Sequence, residues 1–303
     1  MPELAATKAP VFPAADYGNQ DPEWLRIDWR EHLHRVELPG AEVNYADVGE
    51  GKPILFLHGL GGCWRNWLEN LPHFARTHRA IALDLPGFGD SPMPSWEIDM
   101  AAYGRLVHDF CEKLEIERIA AIVGNSMGGF VSTEAAIEDP SRFERLVLVS
   151  AAGISFAESK GRRVDATIRT FEATVPFFSG ARELWVTRPR ARKLAFGRVF
   201  HYPNRVRPEL LAEQIDPGVR APGFGESVRA MGGYDTRHRL PEIEIPTLVV
   251  WGLNDQIVPA EAAIGYHRLI KGSHLEIFER TGHVPQLERP ERFNRLVEDF
   301  LAE

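Results

Sequence analysis

Short apolar runs recur along the chain and predict the strands of a sheet. Four of the five central runs are rich in β-branched residues or nearly unbroken, as strands covered on both faces are. The five runs are Ile54–Leu57, Ala80–Leu85, Ile119–Val123, Leu146–Val149 and Thr247–Trp251. Helical periodicity separates them at Trp64–Arg76, Met100–Leu114 and Met127–Glu138. This alternation of strand and helix predicts a doubly wound, mostly parallel α/β sheet.

The two ends of the chain extend this pattern. Two apolar runs flank Pro39-Gly40 and predict an antiparallel hairpin, Leu33–Leu38 with Val43–Val48. Near the C-terminus the predicted order is helix, strand and helix, at Ala260–Leu269, Leu275–Phe278 and Pro290–Leu301. Residues 1–28 show no sustained period, and we interpret them as an N-terminal extension that is partly ordered at best.

Residues 154–240 interrupt the alternation and contain no good strand pattern. We interpret them as a helical cap inserted into a core formed by residues 29–153 and 241–303. The cap holds 16 lysines and arginines against 9 acidic residues, a net charge of +7, whereas the rest of the chain carries −15. Arginine stems can cover apolar surface and pair with the acidic core. The alternative is that the basic cap attracts anionic substrates.

Composition and charge narrow the function classes. The 303 residues are 44% hydrophobic and 26% charged, as in globular proteins. The net charge of −8 disfavours a nucleic-acid-binding protein. Two cysteines, Cys63 and Cys111, are too few for a disulfide framework or a cysteine-rich zinc site. With no signal peptide and no long apolar run, we expect a cytoplasmic protein without stable membrane insertion, a metal or a nucleic-acid partner. A homodimer stays open.

The sharpest motif is Gly124-Asn125-Ser126-Met127-Gly128-Gly129, which directly follows one predicted strand and opens a predicted helix. This is the context of a nucleophile elbow, a turn so tight that Gly124 and Gly128 leave no room for side chains. The turn projects Ser126 at the carboxyl end of the sheet, above a helix N-terminus that supplies N–H groups. The alternative is a glycine-rich turn with an inert serine.

A serine hydroxyl needs a base, usually a histidine that a carboxylate orients. In this strand–turn–helix context the chain order is serine, acid, histidine. Asp255 follows the strand Thr247–Trp251, and His283 follows Leu275–Phe278. Both lie on loops at the carboxyl ends of strands, the edge where open α/β sheets bind ligands. Asp84 is the alternative acid, and we interpret it as a turn residue.

An acyl-transfer site also needs donors for the developing oxyanion. The residue after the nucleophile, Met127, offers one backbone N–H. The glycine-rich loop His58-Gly59-Leu60-Gly61-Gly62 follows the strand Ile54–Leu57, and its Leu60 N–H is the expected second donor. We interpret His58 as a residue that braces this loop.

Five short sequence motifs of this chain resemble those of the α/β-hydrolase superfamily. H-G-L-G-G, D-L-P-G-F-G-D-S, G-N-S-M-G-G, W-G-L-N-D and G-H-V-P-Q-L-E-R-P occur in family order between about residues 41 and 301. The resemblance implies the α/β-hydrolase fold, an eight-stranded, mostly parallel sheet with helices on both faces and a helical cap. It implies hydrolysis without a cofactor, with Ser126 as nucleophile, His283 as general base and acid, and Asp255 as its partner. The resemblance also implies that the backbone N–H groups of Leu60 and Met127 donate hydrogen bonds to the oxyanion.

Serine at the elbow disfavours haloalkane dehalogenases and epoxide hydrolases, which resemble this layout but place aspartate there. Carboxylesterases are one similar group. The other is the C–C hydrolases of aromatic degradation, whose elbow resembles G-N-S-M-G-G. Those enzymes typically carry H-G-x-G-P-G-A and a tryptophan after the histidine, whereas this chain has H-G-L-G-G-C-W and Val284.

We therefore expect a carboxylesterase that acts on small esters with short to medium acyl chains through an acyl-enzyme. One alternative is a C–C hydrolase of vinylogous diketo acids, and another is a non-catalytic ligand receptor of the same fold.

Overall fold

The computed structural model describes residues 17–18, 21–155, 164–170, 173, 182–219 and 221–303. Parts of the predicted extension and cap lie outside the described residues, namely 1–16, 19–20, 156–163, 171–172, 174–181 and 220. Four aromatic residues of the predicted cap fall in those gaps: Phe156, Phe171, Phe177 and Phe178.

Eight strands form one sheet in the order β1-β2-β4-β3-β5-β6-β7-β8. The strands are β1 (Leu33–Leu38), β2 (Ala41–Val48), β3 (Pro53–Leu57), β4 (Arg79–Leu83), β5 (Ala121–Asn125), β6 (Leu146–Val149), β7 (Thr247–Gly252) and β8 (His274–Phe278). β2 pairs antiparallel with β1 and β4, and all other neighbours are parallel. The eight-stranded, mostly parallel sheet that the sequence predicts is confirmed. β5 begins two residues later than its apolar run, because Ile119 makes only an isolated bridge to Phe143.

Helices connect and cover the strands. They are α1 (Leu71–Phe74), α2 (Met100–Lys113), α3 (Met127–Glu138), α4 (Arg182–Thr187), α5 (Pro189–Phe196), α6 (Pro208–Val219), α7 (Phe224–Met231), α8 (Glu261–Leu269), α9 (Pro285–Glu288) and α10 (Pro290–Ala302). Residues 164–170 are also helical. Within the described ranges, no helix has the length and apolar character needed to cross a membrane.

The sheet separates two apolar cores, because successive side chains of a strand point to opposite faces. In β3, Leu55 and Leu57 belong to the core that includes α2, α3 and α8. Ile54 and Phe56 belong to the other core, with α1 and α10. Strands buried on both faces explain the nearly unbroken apolar runs of the sequence.

The helix predicted over Trp64–Arg76 is divided into a 3-10 turn, Trp64–Trp67, and the short α1. Asn70 lies between the two pieces, and its side-chain amide donates to the Asn294 side chain (2.7 Å) and the Gln286 carbonyl (3.2 Å). Pro72 then follows and lacks the N–H that a continuous helix would use. A buried side-chain bond and a proline therefore break the pattern that periodicity alone suggested.

The predicted cap contributes α4 to α7, and the described part of residues 154–240 contains no strand. Its aromatic side chains Trp185, Phe196, Phe200 and Phe224 are buried in the two cores. Arg239 pairs with Glu134 of α3, at 2.5 Å. This contact fits the interpretation that cap arginines pair with the acidic core.

Candidate active site

Ser126 stands between β5 and α3 with a strained backbone, φ 55° and ψ −114°. Steric contact explains the flanking glycines. A Cβ at Gly124 would lie 2.2 Å from the Gly128 carbonyl oxygen, and one at Gly128 would lie 2.2 Å from the Leu57 carbonyl oxygen. A side chain at Gly124 would therefore displace the backbone of the turn, and one at Gly128 would push the turn away from the end of β3.

Backbone hydrogen bonds hold Ser126 in this conformation. Its N–H donates to the Val149 carbonyl at 2.9 Å, and its carbonyl accepts the N–H groups of Ala152 (3.0 Å) and Phe130 (3.2 Å). Ten of the twelve residues of α3 are buried, so the helix behind the serine is fixed on most of its surface. A strained residue persists only where its surroundings determine it this strongly.

His283 and Asp255 meet in a buried pair. The imidazole Nδ1 lies 2.7 Å from Asp255 Oδ2, and the Asp255 side chain is fully buried. The other carboxylate oxygen accepts the N–H groups of Ile257 (2.8 Å) and Val258 (2.9 Å). Because a carboxylate accepts, the proton of the neutral imidazole lies on Nδ1, which leaves Nε2 as the basic nitrogen.

Ser126 and His283 line one cavity of about 650 Å³. The predicted cap supplies most of its apolar wall, with Ala195, Phe196, Val199, Phe200, Ile215, Phe224 and Met231. Asn66 and Gln214 are hydrogen-bonded to each other on this wall, at 2.5 Å. Arg198 is the one lysine, arginine or carboxylate side chain on the described wall, and it is exposed to solvent.

The predicted oxyanion donors border the serine. Leu60 lies on the cavity wall, and a Cβ on the preceding Gly59 would lie 3.2 Å from Ser126 Cβ. Met127 is the first residue of α3, where an N–H has no acceptor within its own helix. Both backbone segments therefore lie beside Ser126, and their role as oxyanion donors stays a prediction.

His58 and Asp84 are engaged with loop backbone. His58 Nδ1 lies 2.7 Å from the Gly59 carbonyl, and Nε2 accepts the Leu85 N–H at 2.9 Å. Burial lowers the pKa of His58 to about 4, so it is neutral near pH 7. The Asp84 carboxylate accepts the N–H groups of Trp64 and Asp90, and burial raises its pKa to about 6. These contacts agree with bracing roles for both residues.

Sequence reasoning missed a role for Asn125. Its side-chain amide donates to the backbone carbonyls of Val149 (3.1 Å) and His283 (3.3 Å). Its place directly before the predicted nucleophile, Ser126, is the one sequence signal that could have indicated this role. In the described part of the chain, no cluster of three histidine, cysteine or carboxylate side chains could hold a metal.

The chain is similar in sequence to known proteins. A family model described as the alpha/beta hydrolase fold matches residues 52–290. The chain is 33% identical over 286 residues to the 2-hydroxy-6-oxo-2,4-heptadienoate hydrolase of Pseudomonas putida, which covers 87% of this chain and 94% of that protein.

Two solved structures share the fold. A meta-cleavage product hydrolase from Pseudomonas fluorescens superposes with a TM-score of 0.72 at 26% identity, covering 89% of this chain and 97% of that one. A thermophilic esterase from Thermogutta terrifontis superposes with a TM-score of 0.73 at 25% identity, covering 89% of this chain and 98% of that one.

Proposed function

The chain belongs to the alpha/beta hydrolase family, and from that premise we propose that it hydrolyses a carbon–carbon bond in a vinylogous diketo acid. The likeness to a 2-hydroxy-6-oxo-2,4-heptadienoate hydrolase, over nearly the full length of both chains, carries the proposal. It replaces ester hydrolysis as the first choice. A second relative, at 34% identity over 282 residues, is named for 2-hydroxymuconate semialdehyde, which likewise contains no ester.

The chemistry of that substrate defines what the site must do. 2-Hydroxy-6-oxo-2,4-heptadienoate carries a carboxylate, an enol and a ketone, but no ester or amide. Hydrolysis must therefore break a carbon–carbon bond. When this substrate is in its keto tautomer, a nucleophile can add to its C6 ketone. When the C5–C6 bond then breaks, its electron pair delocalises from C5 into the conjugated 2-oxo acid.

The residues of the site can carry these steps. His283 Nε2 takes the hydroxyl proton as Ser126 Oγ bonds to C6, and the N–H groups of Leu60 and Met127 hold the oxyanion. Cleavage releases a dienolate, which takes the proton from His283 and leaves as the dienol. An acetyl group remains on Ser126. Water, deprotonated by His283, then releases it as acetate and restores the serine.

Arg198 is the group that we assign to the substrate carboxylate. It is the one cationic lysine or arginine on the described cavity wall, which contains no carboxylate side chain. A guanidinium binds a carboxylate in a bidentate manner. A keto acid would therefore place its carboxylate toward Arg198 and its ketone at Ser126.

Ester hydrolysis is the second candidate, and the mostly apolar cavity wall favours it. The same nucleophile, base and oxyanion donors act on an ester, whose alcohol leaves in place of the dienolate. The fold likeness to a thermophilic esterase is compatible with this candidate.

The experiment compares kcat/KM on 2-hydroxy-6-oxo-2,4-heptadienoate with kcat/KM on p-nitrophenyl esters from acetate to octanoate, using the same enzyme preparation. We expect the keto acid to be preferred by at least about 10-fold, a difference of about 1.4 kcal/mol in transition-state binding. Ser126→Ala is the control for both reactions. Faster turnover of the esters would instead favour the second candidate.

A further inference from the structure

Glu288 is a buried carboxylate that the proposed reaction does not use. It ends the short helix α9, five residues after His283, and its side chain has no exposure to solvent. Carboxylates are almost never fully buried unless they are paired. The partners of Glu288 therefore indicate what the residue is for.

Three backbone N–H groups donate to this one carboxylate. Oε1 accepts the N–H of Tyr202 at 2.7 Å. Oε2 accepts the N–H of His201 at 3.1 Å and that of Gly282 at 2.7 Å. Gly282 directly precedes His283, whereas His201 and Tyr202 belong to the cap segment after α5. The carboxylate thus joins two parts of the chain that are about 80 residues apart in sequence.

The same two segments also touch directly. The His283 N–H donates to the Val199 carbonyl at 2.7 Å. A Cβ on Gly282 would lie 2.4 Å from the Val199 carbonyl oxygen and 2.8 Å from the His201 nitrogen. Val199 and Phe200 also line the cavity. The backbone of the base is therefore attached to a segment that the substrate would contact.

The charge and shape of the carboxylate suit this task. Its two oxygens can accept several N–H groups, and hydrogen bonds to an ionised acceptor are the strong ones. A glutamine of the same shape has one acceptor oxygen, and its NH₂ group would face a backbone N–H. At least one of the three donors would then be buried without an acceptor.

We propose that Glu288 is a positioning residue for His283, which ties the loop of the base to the cap segment Val199–Tyr202. The inference rests on the proposed function only in taking Ser126 and His283 as the reacting pair. It does not depend on which bond the enzyme cleaves.

The test compares Glu288→Gln with Glu291→Gln, the same substitution at an exposed position of α10. The first measurement is the rate at which a small fluorophosphonate labels Ser126, because that reaction needs the serine and its base but little of the cap. The second measurement determines kcat and KM separately for each variant, with the keto acid and with p-nitrophenyl acetate as substrates. Thermal unfolding shows that each variant is folded at the assay temperature.

For Glu288→Gln we expect labelling and kcat to fall about 10- to 100-fold, as for one lost hydrogen bond to a charged group, with KM nearly unchanged. Glu291→Gln should behave as wild type. Glu288→Asp keeps the charge and should label at an intermediate rate. A folded Glu288→Gln that labels at the wild-type rate, or that changes only KM, would overturn the proposal.

Two controls keep the outcomes distinct. If Glu288→Gln does not fold, the labelling rate of Glu288→Asp is measured in its place. A rate equal to that of wild type would then overturn the proposal. Ser126→Ala must abolish labelling, and persistent labelling would instead refute the assigned nucleophile. If Ser126 labels in a Glu288-dependent manner but the keto acid is not cleaved, only the substrate assignment fails.

Discussion

The side-chain amide of Asn125 donates to the backbone carbonyl of His283 across 3.3 Å, so the residue before the proposed nucleophile holds the loop of the proposed base. The same amide also reaches the Val149 carbonyl on β6. Ser126 and His283 are therefore fixed relative to each other by a side chain that takes no part in the proton transfers.

Asn125→Ala should lower kcat by about 10-fold, because the His283 carbonyl loses a buried donor. KM should change little, since the cavity wall loses only a small polar group. Steady-state kinetics on the substrate with the highest turnover checks this expectation. An unchanged kcat would show that the remaining contacts of the loop suffice to hold it.

Asp255→Asn should lower kcat by about 10³- to 10⁴-fold, because the imidazole loses the carboxylate that holds its proton on Nδ1. The fold should persist, since the amide keeps one oxygen for the N–H groups of Ile257 and Val258. The matched control is Asp84→Asn, at the buried carboxylate bound to loop backbone. A greater loss of kcat in that variant would reverse the assignment of the acid.

Gly128→Ala should destabilise the protein by about 3 kcal/mol or more, because its Cβ would overlap the Leu57 carbonyl oxygen at 2.2 Å. Gly225→Ala, in α7, is the matched control, since its new Cβ meets nothing closer than 3.5 Å. Alanine should stabilise that helix by about 0.5 kcal/mol. Urea unfolding of both variants measures the difference, and equal stabilities would contradict the steric account of the elbow.

His58 should make folding stability depend on pH. Its pKa is about 4 in the folded protein against 6.5 as its ordinary value, because burial disfavours the charged imidazole. Between these values the unfolded chain holds more protons, so the stability that His58 contributes is present above pH 6.5 and is lost as the pH falls toward 4.

The difference in free energy of unfolding between wild type and His58→Gln should therefore become smaller by about 2 kcal/mol from about pH 7.5 to about pH 5. The two proteins must be compared with each other, because the raised pKa of Asp84 changes the stability of both in the opposite direction over the same pH range. Denaturant unfolding at both pH values measures this difference. A constant difference would mean that the imidazole titrates normally in the folded state.

Arg198→Gln should separate anionic from neutral substrates. We expect kcat/KM for the keto acid to fall about 10-fold, from the loss of a charge-assisted hydrogen bond, and kcat/KM for p-nitrophenyl acetate to stay within about twofold. Arg190→Gln is the matched control, at an exposed cation of α5 that does not line the cavity. Equal losses for both substrates would show that Arg198 shapes the cavity instead of binding the carboxylate.

Local sequence rules predicted the sheet and the elbow well. Strands buried on both faces leave apolar runs such as Leu146–Val149, whose bounds in the structure are the same as in the sequence pattern. The steric demand on Gly124 is local, since its Cβ would meet the Gly128 carbonyl, and the spacing of the glycines let the turn be recognised from six residues. The demand on Gly128 comes from Leu57 on β3 and could not be read from those six residues. The order of Ser126, Asp255 and His283 followed from the strands that precede them.

The supporting contacts could not be predicted in this way. Glu288 binds the backbone of Tyr202, and a bond to a backbone N–H from a distant segment leaves no pattern in the sequence. The break at Asn70 has a similar cause, since its partner Asn294 lies on α10. In the proposed reaction, substrate choice depends on cap side chains such as Arg198, whose position on the cavity wall follows from tertiary packing and not from a sequence period.

Carbon–carbon bond hydrolysis is tested most directly by mixing 2-hydroxy-6-oxo-2,4-heptadienoate with wild-type enzyme or with Ser126→Ala, and by measuring absorbance and released acetate. We predict loss of the conjugated absorbance with one acetate formed per substrate consumed, and a rate that is lower by several orders of magnitude in Ser126→Ala. An intact keto acid in the presence of folded wild-type enzyme, or acetate release that does not require Ser126, would contradict this prediction.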